Sequence, residues 1–328
     1  MLIAVNYHYV RPDYHPDFTG IRGVTPSELE RQLSVLGEAA EFVSPTDLRE
    51  ALSGRPLPER SVIITFDDGL QEQWEYALPI LRRMGLSALF FVNTHPIQNR
   101  SISAVHKIHL LRSWMSTPSF RQLLIETANT MGIELEGELD PQLVQRQYPY
   151  DDGETGELKY ILNFVIPGEM RRRLVDGCFE KVAPESQSVL SSRFYMNQQQ
   201  LRELAATGQV GVHGHQHLPL GQLEPHECRH QIRVARDLLT EWTGWTPFAL
   251  SYPYGSQSAC GLRAAACADQ EGMKIGFTME RAANPDFQYP LHLARFDCND
   301  LPSGRHCSAT RADSAWWSSL PQAQWFRS

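Results

Sequence analysis

Two neighbouring carboxylates, Asp67 and Asp68, follow the run Ile63-Ile64-Thr65-Phe66 and precede Gly69. An apolar, β-branched run of this kind predicts a strand buried on both faces, with the carboxylates at its carboxyl end. Successive side chains leaving a strand point in different directions, so one carboxylate can bind a metal while its neighbour accepts a proton. Asp-Asp-Gly also suits a plain turn that caps the next helix. A second set, His213, His215 and His217, lies in Val212-His213-Gly214-His215-Gln216-His217, again after a predicted strand. Two imidazoles and one carboxylate are a common catalytic set for zinc, with positions left open for water and substrate. His213 and His217 flank a tight segment in which Gly214 relieves backbone crowding, and His215 is then expected to point elsewhere as a supporting or packing group. A histidine-rich surface loop is the plainer alternative.

Two weaker sets accompany these. Leu250-Ser251-Tyr252-Pro253-Tyr254-Gly255 reads as a strand end running into a turn, suited to a ring wall and to an exposed backbone N–H that could hold an oxyanion. Tyr7-His8-Tyr9 ends the first predicted strand and either joins the same mouth or packs in the core. A carboxylate base beside a dication also needs a fixed orientation, which a guanidinium can supply through two parallel hydrogen bonds. Arg295 ends a late apolar stretch read as a strand and is the candidate for that task, with an ordinary surface arginine as the alternative.

The elements that must position these groups alternate. Residues 2–6, 62–66 and 87–92 read as buried strands. Thr25-Pro26-Ser27-Glu28 is a capping box that opens a helix towards Glu38, and residues 74–84 form a helix stopped by Gly85. Helices at 198–207, 225–242 and 257–270 separate strands at 209–212, 248–251 and 274–277. This rhythm predicts a parallel α/β sheet or barrel, whose active site belongs at the carboxyl ends of the strands. It breaks between 93 and 196, a mostly helical, more charged stretch with an acidic loop at Asp151-Asp152 and a basic run at 171–173. We read this stretch as an insertion or lid. The domain reading is a catalytic barrel over 1–300 interrupted by 93–196, then a tail at 301–328 with no clear period.

The chain has 328 residues, 42% of them hydrophobic, and a formal net charge of −8. A phosphate-binding surface needs a basic excess, so nucleic acid is not expected as a partner. No stretch has the apolar length of a membrane span or the pattern of a signal peptide. The six cysteines are scattered, and reduced thiols in a cytoplasmic protein are expected.

Taken together, these residues resemble the polysaccharide deacetylase family, carbohydrate esterase family 4. Its first motif, T-F-D-D-G, stands intact at 65–69. Its second, H-[S/T]-x-x-H, matches His213 and His217 with Gly214 in place of the hydroxyl residue, and its third ends in P-Y-G, matched by Pro253, Tyr254 and Gly255. The resemblance runs in order from about residue 5 to 296. It implies a deformed (β/α)7 barrel with Asp67 as general base. Asp68, His213 and His217 would hold a divalent metal, zinc above all, and the Tyr254 backbone N–H would meet the oxyanion. The substrate it implies is an N-acetylated amino sugar, free, nucleotide-linked, lipid-linked or oligomeric. The family's third motif usually begins with an arginine, and here that position is Ser251. Its histidine general acid has no firm match, with His292 and His306 as candidates. Hydrolysis of a cyclic amide on the same fold and a catalytically silent carbohydrate-binding protein are the rival readings.

Overall fold

The computed structural model describes residues 1–12, 21, 23–133, 139–147 and 152–327. Eight strands form one parallel sheet. They are β1 (Leu2–Tyr7), β2 (Glu41–Phe42), β3 (Ser61–Phe66), β4 (Ala88–Val92), β5 (Val210–Val212), β6 (Ala249–Ser251), β7 (Ile275–Phe277) and β8 (Arg295–Asp297). Seven of them follow the order β7-β6-β5-β4-β3-β1-β8, and β2 pairs with β3 off this path. A parallel bridge between Phe277 and Leu293 joins β7 to the residues just before β8, so the seven-stranded sheet is nearly closed into a barrel.

Alternation along the strands sorts the barrel into two layers. Ile3, Val5, Tyr7, Val62, Ile64, Phe66, Phe90 and Val92 face outwards into one large core beneath the helices. There the rings of Tyr7, Phe66 and Phe90 stack in series at 5.4 and 4.9 Å. The opposite parity, Leu2, Ala4, Ile63, Leu89, Phe91, Ile275 and Phe277, fills a second, inner core. Burying each of the larger side chains contributes roughly 1.5–3 kcal/mol. Gly211 of β5 makes room for this filling, since a Cβ there would stand 2.4 Å from the Phe91 ring. Continued one step towards the carboxyl ends, the inner parity lands on Asn6, Asp67, Asn93, His213 and Ser251. The polar layer of the barrel is thus a direct extension of its apolar one.

The helices form for the reasons read in the sequence. Thr25 and Glu28 make a reciprocal capping box, and Asn197 and Gln200 make another. Gly85 and Gly244 end their helices in the left-handed conformation. The structure adds a π turn over Gln73–Ala77 ahead of the helix Leu78–Met84, and a short helix Pro45–Ala51 after β2. One expectation is corrected. Arg295 begins a strand rather than ending one, because the preceding residues turn through Pro290–His292 before β8 starts.

Contacts divide the chain into two compact units. The barrel unit takes the N-terminal strand, Gly23–Ser101 and Ser188 onwards, and a helical unit includes Ile102–Gln187. The expected interruption at 93–196 is therefore wider than the separate unit. The nine residues at either side, 93–101 and 188–196, pack with the barrel. Within the helical unit Leu110, Leu111, Phe120, Leu124, Leu174 and Phe179 are buried, and Lys107 pairs with Asp176 at 2.6 Å. Asp152 caps the helix Gly153–Tyr160, and Arg172 of the basic run pairs with Glu169 in solvent. Asp151 lies outside the described residues. The tail contains a helix, Ser314–Ser319, and docks by backbone bonds from Gln324 and Trp325 to the Glu280 carboxylate. All six cysteines are free thiols. Among the described residues no helix is long and apolar enough to cross a membrane.

Candidate active site

The two carboxylates leave β3 in different directions because the chain turns sharply between them. Asp67 continues the inner parity of the strand, while Asp68 adopts a left-handed φ of +79°. The buried Gln73, first residue of the π turn that follows, holds this corner. Its Nε2 donates to the carbonyls of Asp67 at 2.6 Å and His8 at 2.9 Å, which fixes the ends of β3 and β1 side by side.

Asp67 meets Arg295 in a two-pronged pair, Nη1 to Oδ1 at 2.9 Å and Nη2 to Oδ2 at 2.8 Å. Asn6 donates a third bond to Oδ2 at 3.2 Å. Arg295 is 0% exposed, which removes the surface-arginine alternative. Every nitrogen of its guanidinium is occupied. Nε donates to the Thr278 carbonyl, Nη1 also reaches Asn6 and Thr65, and Nη2 also reaches the Ser251 hydroxyl at 2.8 Å. Ser251, where the family motif has arginine, thus takes part as an acceptor for an arginine arriving from β8. Burial pushes the Asp67 carboxyl up, but Arg295, followed by His213 and His8, outweighs it and holds the group at about 2.

Asp68, His213 and His217 form a buried triangle whose ligand atoms lie within 4.8 Å of one another. Asp68 Oδ1 stands 3.6 Å from His213 Nε2 and 3.5 Å from His217 Nε2. His213 Nδ1 lies 2.8 Å from the Ser251 carbonyl. A carbonyl can only accept, so Nδ1 carries the proton and the Nε2 lone pair faces the triangle. His217, with φ +57°, turns its ring edge-on to His213 and to Tyr254, at 4.9 Å from each. These three residues can hold a metal ion. His215 belongs to another group, sharing a 2.8 Å hydrogen bond with the Thr94 hydroxyl and packing edge-on against His95. Burial, aided by His95 and His230, pushes its pKa down to about 4, so it is a neutral packing imidazole.

Tyr254 is 42% exposed and left-handed at φ +65°, beside the triangle. The following Gly255 must be glycine, since a Cβ there would lie 2.7 Å from that of Met279. Three of the five left-handed non-glycine residues described in the chain, Asp68, His217 and Tyr254, therefore sit in this pocket. Such conformations cost about 1–3 kcal/mol each and persist where the surroundings over-determine them.

The structure does not bring His292 or His306 to Asp67. His292 is stacked between Tyr252 and Phe326, and burial lowers its pKa. His306 lines an open groove of the C-terminal tail with Asp300, Arg311 and Trp316. The imidazole beside Asp67 is His8, with Nε2 3.9 Å from Oδ2 and the side chain 39% exposed. In the sequence His8 belonged to a trio that either joined the mouth or packed in the core, and it had no role of its own. The available signal was parity, since His8 shares the inner face of β1 with Asn6, Ala4 and Leu2.

Comparison with known proteins agrees with this architecture. The family model described as Polysaccharide deacetylase matches residues 54–136 and 169–272, more than half of the chain. YxkH of Bacillus subtilis (strain 168), a protein named for polysaccharide deacetylation, is 34% identical over 89 residues. That match spans 27% of this chain and 29% of YxkH. Among solved structures, the deacetylase PplD of Streptococcus pyogenes superposes with a TM-score of 0.56 at 17% identity, covering 90% of this chain and 91% of PplD. The BpsB deacetylase domain of Bordetella bronchiseptica gives 0.53 at 16% identity, covering 90% and 95%. IcaB of Ammonifex degensii gives 0.52 at 17% identity, covering 90% of each chain. These three likenesses concern the fold, and the family match carries the assignment. The chain belongs to the polysaccharide deacetylase family.

Proposed function

We propose that the protein is a metal-dependent hydrolase that removes the N-acetyl group from an amino sugar, a surface-polysaccharide precursor or an oligosaccharide. The observation that carries this reading is the pairing of one carboxylate clamped by Arg295 with a separate Asp68–His213–His217 triangle at the same end of the barrel. The donor set fits zinc, having two imidazoles and one carboxylate, with the His213 lone pair already directed inwards. A divalent cation bound there supplies Lewis acidity that polarises the amide carbonyl and lowers the pKa of water.

The remaining steps belong to the chain's own residues. Asp67, ionised at neutral pH, takes the proton from water as its oxygen bonds to the acetyl carbon. Arg295 keeps both carboxylate oxygens in one plane and one orientation while this happens. The backbone N–H of Tyr254 receives the oxyanion. His8, on the far side of Asp67 from the triangle's ligands in sequence but adjacent to it in space, protonates the departing nitrogen. The C–N bond breaks to give acetate and the free amine.

The test is acetate release by the Zn2+-loaded protein from free, nucleotide-linked, lipid-linked and oligomeric N-acetyl sugars, with Asp67→Asn as control. Acetate from at least one class, abolished in the variant, is the expected result. Ring opening of a cyclic amide without acetate release from any sugar would replace the reading, and saturable sugar binding with no turnover would make the protein a silent binder.

A further inference from the structure

Asn93 follows β4 and occupies the cap position of the helix Thr94–Asn99. An asparagine there ordinarily caps its own helix by accepting a backbone N–H, worth about 0.5–2 kcal/mol. Asn93 makes no such bond. Its side chain keeps the inner parity of Leu89 and Phe91 and enters the barrel, wholly buried, where Nδ2 donates to Asp68 Oδ1 at 3.3 Å. This is the same oxygen that faces His213 Nε2 and His217 Nε2. The other end of the amide, Asn93 Oδ1, has no hydrogen-bond partner among the described residues.

Two local rules are therefore broken at one residue. A helix cap is forgone, and a buried carbonyl oxygen is left unmatched, which costs about 1–3 kcal/mol. Rotating the amide would remove neither cost, because it would turn an oxygen towards a carboxylate. What the arrangement keeps is one N–H on one carboxylate oxygen of a residue in a left-handed conformation. Broken rules of this kind collect where a site is being held.

We propose that Asn93 is a positioning residue for the metal centre, fixing the Asp68 carboxylate so that Oδ1 points between the two imidazoles. This rests on the reading of Asp68, His213 and His217 as ligands. A carboxylate held in one orientation lowers the ordering cost of binding a cation there.

The measurement is Zn2+ affinity by chelator competition for wild type, Asn93→Leu and Asn93→Ala, alongside thermal melts of the metal-free wild type and Asn93→Leu. The expected result is a roughly 10–100-fold weaker Zn2+ affinity in both variants, the range seen when a partner of a metal ligand is lost. The melting temperature of metal-free Asn93→Leu should be unchanged or higher, because the unmatched oxygen is gone. Wild-type Zn2+ affinity in both variants overturns the proposal. A lowered metal-free melting temperature in Asn93→Leu, or loss of fold in both variants, also overturns it by making the residue a packing one. Wild type that takes up no Zn2+ overturns the metal centre itself, and is distinguished from the first failure by the wild-type measurement alone.

Discussion

Replacing Arg295 by lysine conserves charge and tests whether geometry matters. The guanidinium gives Asp67 two parallel bonds at 2.8 and 2.9 Å while spending its other hydrogens on Thr278, Asn6, Thr65 and Ser251. An ammonium has three donors and no planar fork, so it cannot reproduce the two parallel bonds to Asp67 and abandons several of the other acceptors. Losing one charge-assisted bond is worth about 1.5–3 kcal/mol. If that bond steadies the base in the transition state, turnover falls roughly 10–100-fold, at about 1.4 kcal/mol per tenfold. The carboxyl also responds. Its folded value of about 2 lies below its ordinary 3.8, so the pair's contribution to stability is fully present above about pH 4 and fades as pH falls towards 2. Weakening the cation's hold leaves burial less opposed, and the pKa of Asp67 rises, moving the acidic limb of the rate profile to higher pH. The assay is acetate release against pH at matched zinc content, with a thermal melt to confirm folding. Arg295→Lys with wild-type turnover and an unmoved acidic limb would refute the reasoning.

Three further outcomes are expected. Asp67→Asn should retain fold and zinc while losing activity by ~10²–10⁴-fold, as for removal of a general base; an empty site in Asp67→Asn with a filled one in Asp68→Asn would reverse the two roles. Metal analysis should find about one zinc per chain, lost in Asp68→Ala and His217→Ala and kept in His215→Ala. Equal loss in all three would make His215 a ligand. His8→Gln should keep zinc and lower turnover most for substrates with poor leaving amines; turnover unchanged for every leaving amine would move the proton donor elsewhere.

Much of the barrel was readable because its strands are buried on both faces and therefore spelled as continuous apolar runs, as at Val62 to Phe66. Capping boxes at Thr25 and Asn197 marked helix starts, and Gly85 and Gly244 marked ends. The contact between Arg295 and Asp67 was anticipated from the need to orient a base, although the arginine's place in its strand was not. The residues that escaped notice are those whose meaning depends on strand parity. Asn6 was read only as the end of a buried strand, His8 as one of a trio after it and Asn93 as the first residue of the interruption, and only the register of Leu2, Ala4, Leu89 and Phe91 turns their side chains to the interior. His292 and His306 were candidates because histidines late in the chain suit the family pattern. The fold instead turns one into the packing against Phe326 and the other into a peripheral groove. The bend before β8 was hidden because Leu291 to Ala294 carries the hydrophobicity of a strand without forming one.

The clamp on Asp67 comes from 228 residues further along the chain. By the time residue 217 has been made, every proposed metal ligand has been synthesised, yet the sheet still lacks β6, β7 and β8, and Asp67 its guanidinium. The guanidinium reaches Asp67 only when β8 pairs beside β1 and the circle of strands is nearly complete. On the proposed reading of Asp67 as base, closing the sheet and clamping that base are therefore one structural event.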